Sequence, residues 1–108
     1  IKIGGQMFSL VYITASNIDE AKKIGRALVE ERLVACVNIF PITSIFQWKG
    51  VQEANEAAII AKTSMENVQK VIARVKQLHS YDVPCILSWE IEQGYPPFLK
   101  WIDEEVKK

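Results

Sequence analysis

The sequence predicts one α+β domain. Its order is the ferredoxin-like β-α-β-β-α-β, with an antiparallel sheet, a long hairpin between the second and third strands, and a C-terminal helix. Three observations carry this. Stretches with apolar residues at a helical period alternate with stretches rich in β-branched and aromatic residues. The strand stretches come as one, then two in succession, then one, which is the split βαβ pattern. The length of 108 residues suits a single domain, and 49% apolar with 24% charged residues is an ordinary globular composition.

The elements follow in chain order. Residues 1–6 (IKIGGQ) precede Met7 and read as an expression remnant or a disordered start, so the domain is taken as 7–108. Residues 8–14 (FSLVYIT) have strand chemistry. Asn17 and Glu20 stand at capping-box spacing, and the helix that follows to about residue 31 or 32 carries Ala21, Ile24, Ala27 and Leu28 on one face. Residues 34–48 and 51–63 read as two strands joined at Lys49-Gly50. Ser64 is the expected cap of a second helix, whose apolar face is Val68, Val71, Ile72, Val75 and Leu78. Asp82 marks a turn, 83–91 a last strand, and Gly94 to Pro97 a break. A short helix from about Pro97 then places Leu99, Ile102 and Val106 on one side.

The hairpin does not match its helices in length. Arms of about 13–15 residues reach ~45 Å, whereas each long helix reaches only about 22 Å. The far half of the hairpin nevertheless carries Ile42, Ile45, Phe46, Trp48 and Val51, which are costly to leave in water. Self-association into a closed ring is therefore expected, because an open head-to-tail contact would polymerise. Pro41 fits an edge or a bend.

Thirteen Lys+Arg balance thirteen Asp+Glu, so no basic field exists for a nucleic-acid backbone, and no nucleic-acid partner is expected. Apolar runs fall far short of the ~20 residues that span a bilayer, so no membrane partner is expected. Two cysteines are too few for a disulfide framework, and a cytoplasmic protein is expected. A glycine-rich phosphate loop, a Met-x-Cys-x-x-Cys loop, an anion-binding Arg loop after the first strand and a Ser/His/Asp arrangement are all missing from the sequence. A lone His gives weak grounds for acid–base work, and no enzyme is expected.

The residues that could carry chemistry each have two readings. His79 is either a metal ligand, with Cys36, Cys85, Asp82 or Tyr81 as partners, or a helix C-terminal residue that favours the dipole. Cys36 is either a soft ligand or a small buried apolar residue, and Cys85 reads as core. Asn38, Glu53, Glu56 and Lys62 line a cleft between subunits or form a solvated strand face. Trp48, Trp89 and Trp101 read as core or interface.

Four stretches then resemble the CutA family of divalent-cation-tolerance proteins. They are ERLVACVNI (31–39), WKG (48–50) with Glu56 and Lys62 beyond it, LHSYDVP (78–84) and FLKWI (98–102), and the likeness runs from about Phe8 to Lys107. The resemblance implies a homotrimer, a role in divalent-cation (copper) tolerance, and kinship in fold with the nitrogen-regulatory PII proteins. It carries over onto Cys36, His79 and Asp82 as metal-binding residues near subunit contacts. Trp48, Glu56, Lys62, Tyr81 and Pro84 become an intersubunit cleft. No obligatory cofactor is implied; copper or another divalent cation is the ligand. The alternative is a PII-like signalling or adaptor trimer with a small anion or nucleotide near Lys62, Glu56 and Tyr81. Ser80 departs from the family, which usually has Pro there, and loss of that Pro is expected to free the loop.

Overall fold

A computed structural model describes residues 1–107. Four strands and three helices alternate: β1 (Phe8–Ala15), α1 (Ile18–Glu30), β2 (Cys36–Gln47), β3 (Val51–Ser64), α2 (Val68–Leu78), β4 (Ile86–Glu90) and α3 (Pro96–Glu105). The sheet order is β2-β3-β1-β4 with every neighbour antiparallel. The β-α-β-β-α-β order and the C-terminal helix are those expected from the sequence.

Strand alternation gives the sheet two faces. On one, Val11, Ile13 and Ala15 of β1 and Ala57, Ile59 and Ala61 of β3 are buried beneath Ala21, Ile24 and Leu28 of α1 and Val71 and Val75 of α2. Gly25 lets α1 approach β2 closely, since a Cβ there would lie 2.9 Å from Cγ2 of Val37. On the other face α3 covers only one end, where Phe8 packs with Leu99, Ile102 and Val106. The register places Leu10, Tyr12, Phe40, Ile60, Leu87 and Trp89 on the remainder of that face. Among the described residues no element covers Leu87 and Trp89, which are 58% and 47% exposed.

β1 pairs with β3 only over residues 57–64, whereas β2 and β3 pair from Cys36↔Lys62 out to Gln47↔Val51. Residues 42–56 therefore project as a two-stranded arm, and the molecule measures 47 Å along its longest axis against 25 and 21 Å across. The tip turns through Lys49 and Gly50, both at positive φ, and carries Trp48 at 67% exposure. This is the geometric mismatch expected from residue counts.

Several details differ from expectation. Ser64 makes no side-chain cap: it ends β3, fully buried opposite Phe8, and a 3-10 turn (Met65–Asn67) precedes α2. Asn67 spends its amide on the carbonyls of Leu33 and Lys107, so α2 also starts without a side-chain cap. The last strand begins at Ile86 rather than Val83, because 83–85 complete the loop and Pro84 offers no N–H to a ladder. The opening six residues, set outside the domain above, carry a tight turn in which Ile3 and Gln6 bridge and Ile3 packs on the α3 cluster.

The motif at 31–35 has structural work. Glu31 binds Arg74 of α2 through two carboxylate oxygens at 2.8–3.1 Å. Arg32, at φ 59°, donates to the carbonyls of Glu105 and Glu104 and so caps α3. Gly25→Ala gains roughly 1 kcal/mol of helix propensity but overpacks Val37 at a cost of about 1–3 kcal/mol. Urea unfolding should therefore show net destabilisation, and a stabilised variant would contradict the close approach.

Candidate functional site

The arm leaves the body beside the loop that joins α2 to β4, and the space between them is a groove of about 700 Å³. The arm supplies Ser44, Phe46, Trp48, Ala54 and Glu56; the loop supplies Tyr81, Asp82, Val83 and Cys85; Thr14 closes the base. A smaller hollow of about 380 Å³ where α1 crosses β2 holds none of the residues singled out from the sequence.

Three anchors set the loop. His79 ends α2, and its Nε2–H donates to the Thr14 carbonyl at 2.7 Å while Nδ1 accepts from the Tyr81 N–H at 3.0 Å. A carbonyl cannot donate, so this network assigns the Nε2–H tautomer. The second anchor is Glu20 in the first turn of α1. Asn17 caps that helix by accepting from the Glu20 N–H at 2.8 Å. The Glu20 carboxylate accepts from the N–H and hydroxyl of Ser16 through Oε1, and from the Ser80 N–H through Oε2 at 2.9 Å. Partial burial alone would raise the Glu20 pKa, but the donors from Ser16 and Ser80 outweigh it and hold the group at about 2, below the ordinary 4.5. Third, the Tyr81 hydroxyl donates to Oε2 of Glu56 at 2.7 Å, tying loop to arm. Desolvation, then Glu56 and more distant Glu20, push the Tyr81 phenol up to about 12, so it stays a neutral donor.

The Ser80 loop is therefore tethered. Proline has no N–H, and the Glu20 bond uses the one that Ser80 supplies. The expectation that this departure frees the loop is corrected by that contact.

The expected site residues fall into two groups. Trp48, Glu56, Tyr81 and Asp82 come together at the groove, with Pro84 in the loop behind it. Cys36 and Lys62 do not join them. They oppose each other at the far end of the sheet, about 14 Å along β3 from the Ala58 level where Thr14 pairs. There the Lys62 ammonium donates to the Asn38 side chain. Cys36, His79 and Asp82 are thus not gathered within one chain. Both ring nitrogens of His79 are already engaged, and no group of three His, Cys, Asp or Glu among the described residues could hold a metal ion. Cys85, read as core from its apolar neighbours, lines the groove. Glu20 was visible only as a cap residue; its second oxygen reaches across sixty positions to Ser80.

This fold and site define a small α+β protein with a projecting two-stranded arm and a groove at its root. The profile of the family described as CutA1 divalent ion tolerance protein matches residues 9–105, and the chain belongs to that family. The divalent-cation tolerance protein CutA of Archaeoglobus fulgidus is 48% identical over 102 residues, covering 94% of this chain and 100% of that one. Its solved structure, described as periplasmic, superposes with a TM-score of 0.91 over the same shares. The structure of the divalent cation tolerance protein from Thermus thermophilus is 43% identical with a TM-score of 0.90, covering 94% of this chain and 100% of that one. A CutA homolog from Xenopus laevis is 44% identical across 91% of this chain, which spans 66% of that longer protein. No helix among the described residues is long and apolar enough to cross a membrane.

The Glu20 anchor sets a pH dependence. A carboxyl whose folded pKa lies below its unfolded value contributes stability that is complete above about pH 4.5 and is lost as pH falls toward about 2. The urea midpoint should fall across that window. Glu20→Gln should flatten the fall, and Ser80→Pro should flatten it in part by removing one donor. Identical acid limbs in all three proteins would contradict the anchor.

Proposed function

We infer that the chain works as a non-enzymatic homotrimer in divalent-cation tolerance, copper among the cations, with the groove at the arm root as its binding site. The observation that carries this reading is the set of large apolar side chains left exposed, Leu87 and Trp89 on the body and Phe46 and Trp48 on the arm. Burying one large apolar side chain is worth roughly 1.5–3 kcal/mol, so several together supply the drive for assembly. The free edges of β2 and β4 add unpaired backbone groups that a neighbouring copy can satisfy.

Cation binding then depends on assembly. Among the expected donors, Asp82 lines the groove, and so does Glu56, which accepts from the Tyr81 hydroxyl. Cys36 joins only from a neighbouring copy, and His79 joins only by giving up one of its two hydrogen bonds. Carboxylates suit harder divalent ions, while the thiol favours copper or zinc. Two unbridged cysteines support a reducing compartment, the cytoplasm.

Calorimetric titration of the assembled protein with Cu(II) and Zn(II) tests the reading. Binding should weaken by about tenfold or more in Asp82→Asn, as expected for loss of a charged ligand. It should also fail in Leu87→Glu, which places a charge on the shared face and, by light scattering, keeps copies apart. Absence of divalent-ion binding to the assembled wild type would overturn it.

A further inference from the structure

Lys62 and Glu56 both belong to β3, and strand alternation puts them with Ile60 on the sheet face that α1 and α2 do not cover. Among the described residues, every other strand residue that the register places on that face is uncharged. One cation and one anion thus stand on an otherwise neutral face, about 20 Å apart along the strand. Glu56 lies at the root of the arm, in the groove. Lys62 lies at the opposite end, between Leu10 of β1 and Cys36 of β2.

Among the described residues neither charge meets an opposite charge of its own chain. The Lys62 ammonium donates to the side-chain carbonyl of Asn38, and Glu56 accepts from the neutral Tyr81 hydroxyl at 2.7 Å. Both residues are already half-buried in one copy. Covering the face takes more water from each, and an ion taken out of water needs an opposite charge to offset its lost hydration. An ion pair reaches about 4 Å, so the two cannot satisfy each other within one chain. Between copies they can. A ring contact is heterologous: it sets one end of a copy against the other end of the next, and these two ends carry opposite charge. A contact that laid Lys62 on Lys62, or Glu56 on Glu56, would bury like charges together and is disfavoured.

We propose that the Lys62 ammonium of each copy pairs with the Glu56 carboxylate of the next, so that a base from a neighbouring chain completes the groove at the arm root. This rests on the reading of the chain as a closed homo-oligomer and says which ends meet in it. The pair selects the head-to-tail arrangement, because only that arrangement removes both charges from water together. Cys36, the cross-strand neighbour of Lys62, comes with it to the same boundary. That is the route by which its thiol reaches the groove of another copy.

Sedimentation of charge-reversed variants, each checked for folding by circular dichroism, tests the pair. Lys62→Glu and Glu56→Lys should each weaken assembly by about tenfold or more, the loss expected when a charge-assisted bond gives way to a like-charge contact. The double variant, Lys62→Glu with Glu56→Lys, should regain most of that loss. Across about 20 Å of strand, only a contact between copies can produce the rescue. Single variants that assemble like the unmodified protein, or a double variant no better than the weaker single, overturn the proposal and leave the homo-oligomer standing. An unmodified protein that stays a single chain overturns both. Where a reversed charge unfolds the chain, the unmodified protein decides. Light and heavy-isotope chains are assembled together and treated with a carbodiimide, which joins an ammonium to a paired carboxylate as an amide with loss of water. A mixed-isotope amide between Lys62 and Glu56 is expected, and its absence from the coupled products overturns the pair.

Discussion

A four-stranded sheet has two apolar faces to keep from water, and the described helices of this chain cover the body of one but only a corner of the other. α1 and α2 bury Val11 and Ile59 on one side of the body, whereas α3 reaches only the Phe8 corner of the other. The exposed remainder runs on into an arm that no third strand supports. The rest of the structure can be understood from that imbalance. The arm is long because β2 and β3 pair with each other well beyond β1. The groove exists because the arm overhangs the loop that returns α2 to the sheet. The proposed homotrimer follows because a second copy is what can cover both the face and the arm.

The groove's geometry is set by groups that do not line its interior. Glu20 belongs to the cap of α1, yet its carboxylate fixes Ser80. His79 belongs to the end of α2, yet its two nitrogens span Thr14 and Tyr81. These contacts hold Tyr81 where its hydroxyl reaches Glu56, so the arm's root and the loop are one mechanical unit. His79 in this role is a positioning residue: a ring that both donates and accepts within the chain has no free lone pair for a ligand. Sequence leaves a lone histidine between a ligand and a helix-end role because it does not show where the ring nitrogens point.

Much of the fold was legible. Helical period, the Asn17 to Glu20 spacing and the succession of β-branched runs gave each element to within a few residues, and counting residues exposed the overlong hairpin. Those signals are local, and local chemistry determined these segments. Element ends were less legible. Ser64 has the chemistry of a cap, but the β1–β3 register buries it, and burial overrode its propensity. Within one chain, only part of the candidate residue set comes together. Trp48, Glu56, Tyr81 and Asp82 meet at the groove, but Lys62 sits six positions beyond Glu56 on β3, a strand rise of about 20 Å, and so falls at the opposite end. Cys85 reached the groove against its apolar surroundings because the chain leaves the ladder before Ile86. Which residues share a site depends on register, and register is a property of pairing between distant segments.

The central claim is that the uncovered face and arm require other copies of the chain. Sedimentation equilibrium of the unmodified protein across the micromolar range tests it most directly. The account predicts a single species of three chains of 12.3 kDa each, with no appreciable monomer. A folded, soluble species of one chain throughout that range would contradict it.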